Sequence, residues 1–150
     1  MVLMTSRVTM VIKYNRNNEF SDLGGVINKK TSREPLLPEF QKMFEEINER
    51  YNEDKMDWDN ELAQLALDQS LTPTYNALLR IRRTTMFKHG DQRSFDEQVR
   101  RAIEKLFEEN GNKVQKLSSG VLFGCNGFYV TIDEDLIVST TCLYKYDDLA

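Results

Sequence analysis

The chain has few histidine and cysteine residues that could do acid–base or metal chemistry. Among its 150 residues there is one histidine, His89, and there are two cysteines, Cys125 and Cys142. These numbers exclude a histidine-rich metal centre and a zinc site built from four thiolates. His89 lies in the polar segment 88–91, where a solvent-exposed side chain is the ordinary outcome and a pH-sensitive ligand is the alternative.

Motifs for nucleophilic or phosphate chemistry are also missing. Neither a G-x-S-x-G nucleophile motif nor a G-x-x-x-x-G-K-S phosphate loop occurs in the sequence. The acidic triplet 133–135 lacks the alternating acids and the final glutamate of a calcium loop. We therefore predict a protein that is not an enzyme and that holds no metal ion and no cofactor.

Charge is spread unevenly along the chain. Residues 39–68 hold ten acids and three bases, a net charge of −7, while the whole chain has a net charge of −4. Residues 80–101 hold three acids and seven bases, a net charge of +4, and the bases are Arg80, Arg82, Arg83, Lys88, Arg93, Arg100 and Arg101. Either the two segments neutralise each other, or the second is a basic patch for an acidic partner, an anionic membrane or nucleic acid. The net acidity of the chain and the lack of interleaved aromatic residues disfavour nucleic acid.

A chain of this length has the size of one domain, and such a domain buries roughly two-thirds of its unfolded surface. No run approaches the roughly 18 apolar residues of a membrane-spanning helix. Residues 7–14 are β-branched and aromatic and predict a strand, whereas 15–33 has no hydrophobic period. We expect an N-terminal strand and a flexible arm over residues 1–37, followed by one folded domain over 38–150.

Helical spacing of apolar residues predicts three helices in that domain. The first begins at Pro38, and the second presents a face that runs from Trp58 to Gln69. The third begins at Ser94, which is followed by Glu97 in a capping box, and is predicted to end at residues 110–111. The residues predicted to form the core are Phe40, Met43, Phe44, Ile47, Trp58, Leu62, Ala66, Val99, Ile103, Leu106 and Phe107.

The last part of the chain predicts a β-hairpin. Strand patterns at 120–132 and 136–144 flank the acidic triplet, while 75–87 fits a helix or a strand equally well. The element order predicts an α+β fold. If the turn is centred on the triplet's first two residues, Cys125 and Cys142 lie directly opposite each other on neighbouring strands.

Several short motifs match the pattern of one known family. Matches to L-x-W-D-x-x-L-A-x-x-A are Met56, Trp58, Asp59, Leu62, Ala63 and Ala66. Residues 47–51 stand where this family has H-N-x-x-R, and 111–115 stand where it has G-H-F-T-Q. Gly124 and Cys125 match its G-C, and 141–144 matches its C-N-Y strand. The chain thus resembles the CAP superfamily of cysteine-rich secretory, antigen 5 and pathogenesis-related proteins.

The resemblance covers residues 38–146 and implies an α–β–α sandwich, in which helices flank an antiparallel sheet that includes the C-terminal hairpin. It also implies a cleft with two histidines and two acids, which in some members binds a divalent metal. In this chain Ile47 and Asn112 stand at the histidine positions, and Glu108 or Glu109 is the only candidate for an acid. Because isoleucine neither binds a metal nor titrates, the cleft is degenerate. Its positions are Ile47, Asn48, Glu109, Asn112 and Gln115.

Whether the two cysteines form a disulfide depends on the cellular location of the protein. The resemblance implies a disulfide between Cys125 and Cys142, because these positions match cysteines of secreted members. The N-terminal residues do not read as a signal peptide, and the chain has no N-glycosylation acceptor sequence. We therefore expect an intracellular protein with reduced thiols, or a secreted one if a leader has been removed.

The most direct interpretation is a non-catalytic CAP-like binding module that acts through a protein partner or a small apolar or lipid ligand. The alternative is an interaction module that uses the basic segment 80–101 on nucleic acid or an anionic membrane. A metal-dependent hydrolase on the same cleft is the third possibility, but it requires ligands that the sequence lacks.

Overall fold

The computed structural model describes residues 4–5, 15–16, 36–53, 56–71 and 77–147. The elements in chain order are β1 (Met4–Thr5), β2 (Asn15–Arg16), α1 (Pro38–Tyr51), β3 (Asp57–Trp58), α2 (Asn60–Leu71), β4 (Leu79–Phe87), α3 (Phe95–Gln115), β5 (Val121–Ile132) and β6 (Asp135–Tyr146). Strands β1 and β2 pair in an antiparallel two-stranded sheet. The predicted strand at 7–14 and most of the predicted arm at 15–33 lie outside the described residues.

The other four strands form one sheet with helices on both faces, so the predicted α+β sandwich is confirmed. The strand order is β3-β5-β6-β4. Helices α1 and α3 pack together on one face, and α2 packs against β5 and β6 on the other. The sheet is mixed rather than wholly antiparallel, because β3 runs parallel to β5. In the described part of the chain, no helix is long and apolar enough to cross a membrane.

The main core lies between the sheet and the α1–α3 layer. It contains most of the residues that the helical spacing predicted, including Phe44, Ile47, Leu106 and Phe107, each of which is fully buried. Trp58 differs from the prediction, because it belongs to β3 and not to a helix and is only half-buried. Its ring packs edge-on against Phe123 at a centroid distance of 5.3 Å.

Helix α2 lies unusually close to β5. A Cβ atom on Gly124 would fall 2.6 Å from the carbonyl oxygen of Asp59 and even closer to the amide nitrogen of Ala63. Asp59 caps the helix, because its Oδ1 accepts a hydrogen bond of 3.0 Å from the Leu62 amide. A glycine at this point of β5 is therefore what allows α2 to contact the strand backbone.

Helix α3 begins as predicted but ends later. Ser94 and Glu97 form the reciprocal capping box, yet the helix continues past the predicted end at 110–111 to Gln115. Gly111 allows close packing between α1 and α3, because a Cβ atom there would lie 2.5 Å from Cδ2 of the Tyr51 ring. A glycine in that position is a contact point and does not stop the helix.

The segment that sequence alone could not assign forms an edge strand, β4, which pairs with β6 from Leu79 to Phe87. Side chains along β4 alternate between buried and exposed, as expected for a strand with one covered face. The hairpin turn consists of Asp133 and Glu134, both with positive φ (52° and 71°), as a tight two-residue hairpin turn requires.

Candidate functional site

Two of the degenerate cleft positions, Ile47 and Asn48, lie in the interior. Ile47 is fully buried in the main core, and Asn48 is 3% exposed. The Oδ1 atom of Asn48 accepts a hydrogen bond of 2.6 Å from the Tyr144 hydroxyl, and its Nδ2 lies 3.5 Å from Sδ of Met56. Burial raises the pKa of Tyr144 well above its ordinary value, which keeps this hydroxyl a neutral donor.

The other three positions lie on the exposed side of the last turns of α3. Glu109, Asn112 and Gln115 are all exposed, and they follow one another at intervals of three residues. The Glu109 carboxylate forms an ion pair with the Arg83 guanidinium of β4. A carboxylate held by a cation at the surface is a weak candidate for acid–base chemistry.

The five positions therefore do not line one cleft. The structure brings Glu109, Asn112 and Gln115 together on α3, and it separates them from Ile47 and Asn48, which face the interior. Within the described residues, no three His, Cys, Asp or Glu side chains are grouped so that they could hold a metal ion. Of the five positions only Glu109 has a titratable side chain, so they form no acid–base pair.

The basic segment is largely neutralised by nearby acids. Five of its seven cations form ion pairs with carboxylates: Arg83 with Glu109, Lys88 with Asp135, Arg93 with Asp91, Arg100 with Glu46, and Arg101 with Glu104 and Glu108. The hydrogen bond that Arg101 donates to the Glu108 carboxylate raises the pKa of the Arg101 guanidinium. Arg80 and Arg82 are exposed and also have interactions of their own. Nearby carboxylates therefore neutralise most of the segment, although of these pairs only Arg100–Glu46 joins it to the acidic segment 39–68.

His89 lies at the hairpin turn. Its Nε2 is 3.3 Å from Oε1 of Glu134, and its backbone amide donates a hydrogen bond of 2.7 Å to Oδ1 of Asp135. The side chains of His89 and Glu134 are 71% and 73% exposed, so this contact is a solvated surface pair. The histidine connects the end of β4 to the turn, and among the described residues it belongs to no group of three side chains that could hold a metal ion.

Cys125 and Cys142 face each other across β5 and β6 and form a disulfide. The register pairs them directly, as a turn centred on Asp133 and Glu134 predicts, with a Cα–Cα distance of 4.1 Å. Both cysteines are fully buried in the main core. The bond lies on the α1–α3 side of the sheet, and Gly124 beside it contacts α2 on the other side.

Two buried asparagines were not singled out from the sequence. Nδ2 of Asn52 donates hydrogen bonds to the carbonyl oxygens of Val114 (2.8 Å) and Leu117 (3.0 Å), which holds the end of α3 against α1. Nδ2 of Asn126 donates to the carbonyl oxygen of Ala63 in α2. The only feature of the sequence that could have pointed to Asn52 is that it follows Asn48 by one helical turn.

The fold and the site define a disulfide-bonded, three-layer α+β protein whose presumed cleft positions are divided between core and surface. Its family is evident from the sequence. A family model described as 15 kDa excretory/secretory protein matches residues 43–146, which is more than half of the chain. The chain belongs to this family.

Individual relatives agree with this assignment. A 15 kDa excretory/secretory protein of Haemonchus contortus is 31% identical over 113 residues, covering 70% of this chain and 76% of that protein. A 30 kDa antigenic glycoprotein of Trichostrongylus colubriformis is 27% identical over 121 residues, covering 80% of this chain and 89% of that protein.

Among solved structures, the crystal structure of hookworm platelet inhibitor is similar at 16% identity and a TM-score of 0.43. The match covers 77% of this chain and 73% of the hookworm protein's chain. This likeness is too distant to carry a functional conclusion.

The prediction of an intracellular protein is wrong. The family and the Haemonchus relative are described as excretory/secretory proteins and the Trichostrongylus relative as an antigenic glycoprotein, which indicates a secreted protein. The expectation failed because it relied on the lack of a visible leader and of a glycosylation sequence, and neither determines where a folded chain works. An oxidising extracellular environment also suits the disulfide.

Proposed function

We propose that this chain is a secreted, non-catalytic binding protein with a CAP-like domain, and that it acts through a protein partner. The observation that carries the proposal is the placement of the cleft positions. Ile47 fills the core where the CAP resemblance calls for a histidine, while Glu109 is held by Arg83 at the surface. Groups separated in this way cannot share a proton or a metal ion with a substrate.

The CAP-like part of the proposal is supported by the roles of the matching residues. Asp59 caps α2, and Gly124 allows that helix to approach the sheet. Cys125 and Cys142, at the positions that match family cysteines, are bonded to each other. These residues match because they maintain a three-layer fold, and they do so independently of a cleft.

A protein partner is favoured over nucleic acid and over an anionic membrane. A small apolar or lipid ligand is the alternative for the same binding role. Nucleic acid or an anionic membrane is disfavoured, because five cations of the basic segment already form ion pairs with acids. Such pairing reduces the net field that a polyanion would encounter.

The first test addresses catalysis and metal. The full chain with its disulfide intact is mixed with zinc or magnesium, and its melting temperature is measured together with turnover of ester, peptide and phosphodiester substrates. We expect no stabilisation and no turnover. Stabilisation by zinc that disappears in Glu109→Gln, but persists in the neighbouring Glu108→Gln, would overturn the non-catalytic proposal.

The second test addresses binding. Extracellular proteins captured by the immobilised chain are identified, purified and titrated individually by calorimetry. We expect a saturable interaction with one of them that is unchanged by a chelator. If native mass spectrometry instead finds a bound lipid, and no purified protein binds, the protein-partner proposal is wrong.

A further inference from the structure

The four-stranded sheet has two outer edges, and they differ in how their backbone groups are used. The strand order β3-β5-β6-β4 places β4 at one edge. At the other edge, β3 pairs only with Leu122 and Phe123, so β5 forms the rest of that edge among the described strands. Backbone N–H and C=O groups that point outward from an edge can pair with another extended chain, and proteins commonly block them for this reason.

The edge formed by β5 is blocked next to β3. The carbonyl oxygen of Phe123 points outward, where it accepts a hydrogen bond of 2.8 Å from the Asp59 amide. The outward amide of Gly127 donates a hydrogen bond of 2.9 Å to Oδ1 of Asn126. The Asn126 side chain is held in place because its Nδ2 donates a hydrogen bond of 3.2 Å to the Ala63 carbonyl oxygen of α2. A strand added beside β5 would find the Gly127 amide already bonded.

The register determines which backbone groups of β4 point outward. The residue pair 132 and 135 flanks the two-residue turn and is therefore hydrogen-bonded, so odd-numbered residues of β6 bond to β5 and even-numbered ones bond to β4. Their partners in β4 are the odd-numbered residues, such as Thr85. Thr84 and Met86 consequently direct their backbone N–H and C=O groups away from β6.

These outward groups are accessible. Thr84 and Met86 are both exposed, Met86 at 52%, and no described strand pairs with β4 on its outer side. Arg80 and Arg82, which lie earlier in the strand, have interactions within the chain. The part of β4 that can receive another strand is therefore the segment 84–86, which we call the open edge.

A row of apolar side chains ends at the open edge. Met86 is paired with Ile137, which is paired in turn with Val130, so the three side chains lie side by side on one face of the sheet. Ile137 and Val130 are half-buried. Residues directly opposite each other in neighbouring strands have side chains on the same face. A strand added beside β4 would therefore extend this row by one residue.

We propose, on the basis of the binding role proposed above, that the open edge binds an extended segment of the protein partner as an additional β-strand. Outward N–H and C=O groups on alternate residues match the main chain of an extended polypeptide, whereas a lipid has no such series of donors and acceptors. The partner's residue opposite Met86 is apolar, because it extends the apolar row. A second copy of β4 fits less well, because antiparallel pairing of Thr84 with Met86 places the cations Arg82 and Lys88 opposite each other.

The first experiment selects peptides from a random library displayed on phage, using the immobilised full chain with its disulfide intact. A selected peptide is synthesised, and its Kd is measured by calorimetry. Met86→Pro removes an outward N–H, a change that an edge strand accommodates. It should weaken binding by at least about tenfold, because the partner's acceptor is left unpaired. Met86→Ala keeps the N–H and should bind more tightly than Met86→Pro.

Thr131→Pro is the matched control on the other edge. Thr131 is exposed and lies at an outward position of β5, so the substitution also removes an outward N–H. It should leave the affinity for the peptide at the wild-type value. Circular dichroism confirms that each variant is folded.

The second experiment methylates the backbone amides of the selected peptide one at a time. A strand that is paired on one side bonds through alternate N–H groups, so methylation should abolish binding at every second residue and be tolerated between them. A peptide that is insensitive to methylation at all positions overturns the proposal. So does a selection without a binding peptide, or a peptide that binds Met86→Pro as tightly as wild type.

The extracellular partner identified by capture is titrated against the same variants. We expect it to bind Thr131→Pro like wild type and Met86→Pro more weakly. Equal affinity for wild type and Met86→Pro would mean that the partner binds elsewhere, which overturns the open edge as its site but leaves the proposed binding function intact. A wild-type dimer in sedimentation velocity that Met86→Pro dissociates would show that the occupant is a second copy, which also overturns the proposal.

Discussion

Tyr144 in β6 donates a hydrogen bond of 2.6 Å to Oδ1 of Asn48 in α1. Tyr144 is fully buried and stacks on Phe123 at a centroid distance of 5.9 Å, and Asn48 is 3% exposed. The bond is therefore a polar contact inside an apolar layer. Moving α1 away from the sheet would break this bond and leave buried polar groups unpaired, which is costly. The bond therefore fixes the distance between α1 and the sheet.

Removing this hydroxyl should destabilise the protein at neutral pH. In Tyr144→Phe, the Asn48 oxygen would remain buried without its donor, at a cost of about 1–3 kcal/mol in the free energy of unfolding. Urea denaturation at pH 7 measures this cost. A change below about 0.5 kcal/mol, typical of surface sites, would show that the bond contributes little.

The same residue should govern part of the alkaline sensitivity. Burial raises the pKa of Tyr144, so above pH ~10 the unfolded chain loses this proton while the folded chain retains it. The stability is fully present below that pH and falls above it by up to about 1.4 kcal/mol per pH unit. Tyr144→Phe should show a shallower decline between pH 10 and 12 in matched urea titrations. Asn48→Ala, which retains the phenol, should keep the steep decline.

The disulfide should contribute substantially to stability. Cys125 and Cys142 are 17 residues apart, and replacing both with alanine should lower the free energy of unfolding by about 3 kcal/mol. Denaturant curves of the oxidised, reduced and double-variant chains measure the effect. Thiol counting on the denatured, unreduced protein should find no free thiol. A double variant as stable as the oxidised chain would contradict this prediction.

Gly124 should tolerate no side chain. A Cβ atom there would collide with backbone atoms of α2, which have no rotamer by which to move away. Gly124→Ala should therefore cost about 1–3 kcal/mol or more. Thr131→Ala, at an exposed position on the same strand, is the control and should change stability by less than about 0.5 kcal/mol. Thermal melts of both variants would distinguish the two sites.

Leu106 should report on the helical face predicted from the sequence. It is fully buried, and Leu106→Ala should lose about 2–5 kcal/mol, because both transfer energy and a cavity are involved. Leu78→Ala removes the same atoms at a position that is 45% exposed, and it should have little effect. Equal losses in chemical denaturation would mean that this face of α3 does not form the core.

Ser139 is expected to respond in the opposite direction. Its hydroxyl is buried and has no hydrogen-bond partner in the described structure. Ser139→Ala removes an unsatisfied group and should raise stability by up to about 1 kcal/mol. The neighbouring Thr140 donates a hydrogen bond of 3.3 Å to the carbonyl oxygen of Arg83, so Thr140→Val should lower stability. Calorimetric melts that show the same sign for both variants would refute this account.

Local patterns in the sequence predicted much of the fold. The capping box at Ser94, the helical stripe of α3 and the pairing of Cys125 with Cys142 all follow from spacing along a few turns or across one short hairpin. Such interactions join residues that are near in sequence, so their geometry can be predicted without the tertiary structure. The α+β class follows from the order of these elements.

Tertiary structure alone decided the rest. Residues 79–87 form a strand because they pair with β6. Gly111 lies inside α3, and the ring of Tyr51 from α1 fills the space that a side chain there would occupy. Ile47 and Glu109 match one family cleft by position, yet one fills the core while the other meets Arg83 at the surface. Contacts between residues distant in sequence determine which face of an element is buried, and that choice decides whether matching residues share a site.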